Sequence, residues 1–376
     1  MTKIFLTGMT GLVGSAFTTT ILSDKKDYRI VTLCRPNSAF SARERIEAVI
    51  REQCAFDHVP ERADEVLSRI DVIEGNVLDG NIDELMQLDF MQDVDIMFHC
   101  AADVNLGKDA DRRTYNINYQ GTKNMIELAK RLNVREFHYV STAYVAGKKI
   151  GVAKEDELVD SGFNNNYEMS KFNAEGLVRD SGFKYTIYRP SIIVGRLSDG
   201  KVRRPLAFYR ILEFLAKVKK HQCSKHNLDP LDWMDMQIRF QTFPSERIYF
   251  VPIDYVQRAI CKLFFKPVCN KTYHLTGNSP VSVHSIAKNI GDTLRIKGIS
   301  VVDKANDLTP DEKLIGRMIG DLLPYYSSQI TFDQSNVIEA LGEEFIAWDF
   351  DDEHLGIIMK QFLKSFFPNV EWLQKL

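Results

Sequence analysis

Thr7-Gly8-Met9-Thr10-Gly11-Leu12-Val13-Gly14 stands between a short apolar run, Lys3–Thr7, and a stretch of helical period, Leu12–Ser23. Glycines at this spacing, G-x-x-G-x-x-G, let the backbone turn tightly and approach a pyrophosphate. The free N–H groups and the dipole of a helix N-terminus then favour that anion. Alone, three glycines are a weak signal. Directly after the first strand of a βα unit they gain weight, against the plain alternative of a glycine-rich turn with no ligand. Thr7, Gly8, Thr10, Gly11, Leu12, Val13 and Gly14 are accordingly the first candidates for binding a dinucleotide.

Outward from this loop, strands are expected at Lys3–Thr7, Tyr28–Cys34, Ile70–Glu74, Asp95–His99, Glu136–Ser141 and Tyr185–Arg189. Helical stretches lie between them near Leu12–Ser23, Ala42–Glu52, Arg112–Leu132 and Tyr167–Asp180. Strands alternating with helices imply an α/β fold, a doubly wound parallel (Rossmann) sheet, because parallel neighbours need a crossover helix. Ligands then bind beyond the carboxyl ends of the strands, where every motif below falls. Residues 1–195 are expected to form the nucleotide-binding domain, and 196–376 mostly a smaller, interleaved substrate lobe and C-terminal helices. Within the latter, a helix is expected at Pro205–Lys219, followed by an irregular polar stretch to 246. The segments Ile248–Val251 and Lys271–Thr276 are candidates to return to the first sheet, and from Ser279 the chain reads as mostly helical.

Composition narrows the class. The 376 residues are 44% hydrophobic and 26% charged, ordinary for a globular protein and enough for two lobes. Lys plus Arg is 48 and Asp plus Glu 51, a formal charge of −3, so no broad basic field for nucleic acid is expected. Six scattered cysteines with no C-x-x-C pair read as reduced thiols of a cytoplasmic protein. A strand starting at Lys3 leaves no room for a signal peptide, and no apolar run is long enough to span a bilayer. Eight histidines form no metal-ligand spacing, so hydride chemistry or none is expected rather than metal chemistry.

The second strand ends in Arg35, with no acid near to accept from a ribose 2′-hydroxyl. A guanidinium there suits a 2′-phosphate, with Arg43 or Arg45 on the next helix able to assist, so the expected cofactor is NADPH. A solvated surface arginine is the bland alternative. Asn76 and Val77, just past the third strand, are placed to touch adenine, and Ala101 and Ala102 after the fourth let backbone pass under the cofactor.

The catalytic candidates are Thr142, at the end of the fifth strand, and the pair Tyr167 and Lys171 at i and i+4, one helical face. An ammonium beside a phenol favours the phenolate, so Lys171 is expected to lower the tyrosine pKa and let Tyr167 donate and recover a proton near neutral pH. Lys171 can also hold ribose hydroxyls, and Thr142 can orient a substrate carbonyl oxygen. Y-x-x-x-K by itself is a common accident on helices; the upstream glycine loop and strand-end hydroxyl lend it meaning.

Taken together, these residues resemble the extended short-chain dehydrogenase/reductase superfamily over about Lys3 to Gly277. The resemblance implies that Asn118, in Asn118-Tyr119-Gln120-Gly121-Thr122, supports the active-site lysine through water. It implies that Pro190, Ser191 and Ile192, in Tyr188–Gly195, line the nicotinamide. Asn76 departs from the usual Asp. Within the superfamily Ala101–Asn105, Ser141–Gly147, Tyr167–Glu175 and Tyr188–Gly195 look most like thioester reductase domains and fatty acyl reductases. That implies reduction of an acyl thioester, on an acyl carrier protein or coenzyme A, to an aldehyde or alcohol. Reduction of a ketone or aldehyde, or epimerisation of a nucleotide sugar, uses the same three residues, and a non-catalytic NADP-binding sensor could share the fold. The stripe Leu355, Ile358, Met359, Phe362 and Phe366 suits the protein's own core more than a membrane surface.

Overall fold

In the computed structural model, residues 1–80, 82–206, 208–241 and 248–376 are described. Five strands follow one another early in the chain: β1 (Thr2–Thr7), β2 (Tyr28–Cys34), β3 (Ile70–Glu74), β4 (Ile96–His99) and β5 (Glu136–Val140). With Lys184–Pro190 and Lys271–Leu275 they form a seven-stranded sheet in the order Lys271–Leu275, Lys184–Pro190, β5, β4, β1, β2, β3, every pair parallel. The order reverses at β1, which pairs with β2 on one side and β4 on the other, and a crevice opens at that point.

Strands buried on both faces read as continuous apolar runs. Ile4, Leu6, Ile30 and Phe98 face the helices Leu12–Asp24 and Ile253–Phe264, and Phe17 stacks on Phe98 at 4.0 Å between ring centres. Phe5, Val31, Met97, Phe137 and Ile187 face the opposite layer, with Ile126 and Ala129 of the helix Arg113–Leu132 and Ala174 and Val178 of Asn166–Arg179. Burying each such phenylalanine is worth about 1.5–3 kcal/mol.

A second core is built mostly from the later chain, with Ala143, Tyr144, Ala153 and Val194 from the earlier part. The helix begins at Tyr209, later than the expected Pro205, and continues to His226, where Asn227 ends it in a left-handed conformation (φ 53°). The stretch read as irregular holds a strand, Met234–Gln241, paired in parallel with Ile296–Val302; its 242–246 part lies outside the described residues. Phe250–Pro252 pairs not with the main sheet but with Ile192–Val194, so of the two returning segments only Lys271–Leu275 joins it. Leu355, Ile358, Met359 and Phe362 are buried in the second core against Tyr209 and Leu212, while Phe366 is exposed. Among the described residues, no helix is long and apolar enough to cross a membrane.

Candidate active site

One cavity of about 540 Å³ opens at the carboxyl ends of β1, β2 and β4 and runs beneath the second lobe. Its floor is the glycine loop. Gly8 has φ +80°, and a Cβ there would lie 2.6 Å from the Ala101 nitrogen; one at Gly14 would lie 2.3 Å from the Gly8 carbonyl oxygen. No side chain fits where these backbones meet. Gly11 caps the helix Leu12–Asp24 without a side-chain hydrogen bond, and the first turn carries no acid, so its N–H groups face the cavity with nothing to repel an anion. Thr10, Leu12 and Val13 line the cavity. Thr7 and Gly14 stand behind it, and Thr7 Oγ1 sits 2.6 Å from His99 Nδ1 and accepts from the Ala101 nitrogen at 3.2 Å.

Arg35, Arg45, Asn76 and Val77 surround one end. Arg45 donates to the Arg35 carbonyl, whereas Arg43 turns away to Glu47 (2.8 Å) and the Ile70 carbonyl (3.0 Å). Gly121 leaves room for Val77, since a Cβ there would lie 2.7 Å from Val77 Cγ2. Ala101 and Ala102 form the middle of the wall. This end and the glycine loop together leave room for a dinucleotide.

Thr142, Tyr167 and Lys171 meet at the other end, with Pro190, Ser191 and Ile192 opposite. Asn165 caps the helix Asn166–Arg179 by accepting from the Glu168 nitrogen at 3.0 Å, which starts the helix one residue before Tyr167. The Tyr167 phenol hydrogen-bonds to the Thr142 side chain, and burial pushes it up to about 12. Lys171 does not lower it as the spacing suggested. Its ammonium instead donates to the Val140 carbonyl at 2.7 Å and lies 4.2 Å over the Tyr139 ring. Burial holds Lys171 down to about 7. A neutral phenol beside a lysine that can carry charge is the form that gives up a proton, as a reduction requires. Ser191 Oγ is buried with no hydrogen-bond partner among the described residues, which suits a nicotinamide amide.

Asn118 lies behind the cavity. Its amide accepts from the Asp103 nitrogen (2.8 Å) and donates to the Asp103 carbonyl (3.0 Å) and to Ser170 Oγ (2.9 Å). Thr122, from the same segment, meets His99 Nε2 at 3.0 Å. With both ring nitrogens engaged, His99 is buried and held neutral, its pKa about 3 through burial and the nearby Lys171.

The remaining wall comes from the second lobe and was not foreseen: Leu206, Phe208, Leu322, Tyr325 and Tyr326 make the far end apolar and aromatic, and Arg204 lines the loop side. Tyr325 stands edge-on to Tyr144 and accepts from Asn165 Nδ2 at 3.0 Å. Of these residues only Arg204, in the adjacent pair Arg203-Arg204, carried a local signal that sequence reading could have used. Among the described residues, no group of histidine, cysteine and acidic side chains could hold a metal.

A doubly wound sheet with a glycine loop at the floor of this cleft defines a dinucleotide-binding protein. The chain belongs to the male sterility protein family of NAD-binding proteins, whose pattern it matches over residues 6–260. It is 25% identical over 379 residues to the nonribosomal peptide synthetase asaC of Aspergillus flavus, covering 91% of this chain and 34% of that one. It is 24% identical to the aldehyde reductase lnbA of the same organism, covering 73% and 26%. The chain thus spans about a third or less of the length of these curated relatives. Among solved structures, the terminal R domain from the myxalamid PKS-NRPS biosynthetic pathway superposes with a TM-score of 0.73 at 20% identity, over 98% of this chain and 92% of that one. A thiolation-reductase di-domain from an archaeal non-ribosomal peptide synthetase gives 0.68 at 23%, over 97% and 90%. A UDP-glucuronic acid 4-epimerase of Bacillus cereus shares the fold at 0.62 and 17%, over 98% and 99%.

Proposed function

We propose that this protein uses NADPH to reduce an acyl thioester, held on coenzyme A or an acyl carrier protein, to an aldehyde. The observation that carries the reading is the meeting of Thr142, Tyr167 and Lys171 in one buried corner, beneath an apolar wall from the second lobe. Arg35 and Arg45 at the adenosine end favour a 2′-phosphate. Names among the relatives and similar structures, peptide synthetases and a thiolation-reductase di-domain, support the thioester.

NADPH, when bound, supplies the hydride. The thioester carbonyl oxygen takes the place between the hydroxyls of Thr142 and Tyr167, which donate to it as negative charge develops. Tyr167 then passes its proton to that oxygen. The Lys171 ammonium, one helical turn away, opposes the charge left on the phenolate. The resulting hemithioacetal breaks its carbon–sulfur bond, losing the hydroxyl proton and releasing aldehyde and thiol. Leu206, Phe208, Leu322 and Tyr326 would face the acyl group and exclude water.

The aldehyde reductase likeness favours a second reading, in which an aldehyde is itself the substrate. Following NADPH absorbance while counting thiols with a thiol-reactive dye separates the two. One thiol per NADPH marks reduction to aldehyde, and two NADPH per thiol marks continuation to alcohol. Turnover of aldehydes or nucleotide sugars, with no thiol released from thioesters of any chain length, would overturn the thioester assignment.

A further inference from the structure

We infer that Arg204 binds the cofactor's pyrophosphate from the opposite lobe, and that Arg203 is the strut holding it there. The inference rests on reading the cavity as a dinucleotide site.

Arg203 and Arg204 follow the strand Ile192–Val194 and precede the helix Tyr209–His226. Their side chains divide the work. Arg203, its side chain only 3% exposed, is fully engaged: Nε donates to Gln53 Oε1 (3.0 Å), Nη1 to Glu52 (2.8 Å), and Nη2 to the Gly11 carbonyl (3.0 Å) and Ser15 Oγ (2.8 Å). It stitches this segment to the glycine loop and to the helices Leu12–Asp24 and Ala42–Phe56. Arg204 uses one donor, Nη1 to the Thr10 carbonyl at 2.8 Å, and its side chain lines the cavity.

A guanidinium has five N–H donors, so most of those on Arg204 remain for a ligand. Glu52 answers the charge of Arg203, and among the described residues no carboxylate answers that of Arg204. Two neighbouring cations with one counter-ion leave a place for an anion. Thr10 lies in the middle of the glycine loop, between the adenosine end at Arg35 and the proton-donating end at Tyr167. The anion at that point of a dinucleotide is the pyrophosphate. Charge-assisted contacts of this kind are worth roughly 1.5–3 kcal/mol, or about tenfold or more in affinity. Because Arg204 belongs to the second lobe's connecting segment, bound pyrophosphate would also fasten that segment over the cleft.

The test is calorimetric titration of NADP+, NAD+ and adenosine 2′-phosphate into the unaltered protein and into Arg204→Ala, Arg204→Gln and Arg35→Ala, with the melting temperature of each ligand-free variant recorded. Glutamine can keep the contact with the Thr10 carbonyl while removing the charge. Both Arg204 variants should melt like the parent. They should lose affinity for NADP+ and NAD+ by the same factor, about tenfold or more, and bind adenosine 2′-phosphate as before. Arg35→Ala should show the converse pattern. Unchanged dinucleotide affinity in both Arg204 variants would overturn the inference and leave the cofactor reading intact. So would a loss confined to NADP+ and adenosine 2′-phosphate. An unaltered protein that binds neither dinucleotide would overturn both.

Discussion

Glu175 and Arg189 form a two-pronged ion pair sealed between the helix that carries Lys171 and the strand that leads to Pro190: Nε to Oε2 at 3.0 Å and Nη2 to Oε1 at 2.6 Å. Both side chains are at most 2% exposed. Arg179 adds a contact to Glu175 Oε1 at 2.9 Å, and Arg189 also donates to the Glu157 carbonyl at 2.8 Å. Burial works to raise the Glu175 pKa, yet Arg189 and Arg179 prevail and hold it below the usual carboxylate range. The pair ties the helix that carries Lys171 to the strand that runs into Pro190 and Ser191.

A buried ion pair contributes little net stability, but breaking it strands a charge. Glu175→Ala should therefore cost about 3–5 kcal/mol in denaturant unfolding, because Arg189 is left buried and unpaired. A loss under about 1 kcal/mol would show that water reaches Arg189 and that the site is less sealed than its burial implies.

Replacing Arg35 addresses cofactor choice. The unaltered protein should prefer NADPH over NADH by about tenfold or more, from one charge-assisted phosphate contact. Arg35→Ala should remove most of that preference. Equal affinity for the two cofactors in the unaltered protein would count against NADPH.

For the proton donor, Tyr167→Phe should abolish turnover while leaving cofactor binding nearly intact, and Thr142→Ala should slow turnover by roughly 10²-fold, as loss of an oxyanion donor does. Steady-state rates with NADPH and an acyl-CoA, beside dissociation constants for NADP+, separate these effects. Full activity in Tyr167→Phe would refute its role.

The pH dependence follows from Lys171, whose pKa burial holds to about 7. Its useful form is the protonated one, so the supporting charge is present below that pKa and lost as pH rises through it. kcat/KM for the cofactor, which reports on the free enzyme, should be level in mild acid and decline above about 7. A profile level from about pH 6 to 9 would exclude this dependence on Lys171.

At the glycine loop, Gly14→Ala should defeat cofactor binding while the protein still folds. The new methyl would meet the Gly8 carbonyl at 2.3 Å and push the helix N-terminus from the phosphate position. Titration with NADP+ would check this, and wild-type affinity would mean the loop yields more than its packing suggests.

The first lobe was readable because its strands are buried on both faces and advertise themselves as apolar runs, with Tyr28–Cys34 and Ile70–Glu74 falling where expected. The second lobe hides its strands. Met234–Gln241 alternates buried and exposed residues, but among charged and polar neighbours its apolar positions resemble loop. Spacing pointed to the glycine loop, Tyr167 and Lys171, and the family resemblance to Pro190, Ser191 and Ile192; all but Thr7 and Gly14 of these line the cleft. Leu322 and Tyr325 were not, because they reach the cavity from about 150 residues beyond Tyr167, and no local period records such a contact. The Tyr167 phenol shows the limit of pairwise reasoning: i, i+4 spacing put Lys171 on its face, but burial acts on both groups more strongly than either acts on the other.

The strand Lys271–Leu275 closes one side of the main sheet, although the second-lobe strand Met234–Gln241 lies between it and its partner Lys184–Pro190 in sequence. During synthesis the ribosome delivers Lys184–Pro190 well before the strand that covers it. For about 80 residues, several seconds at ordinary translation rates, the nascent sheet carries an open, apolar edge. That edge is where another nascent chain could add a strand. A chain halted near residue 250 should therefore aggregate, whereas one extended past Leu275 can cover Lys184–Pro190 with a strand of its own.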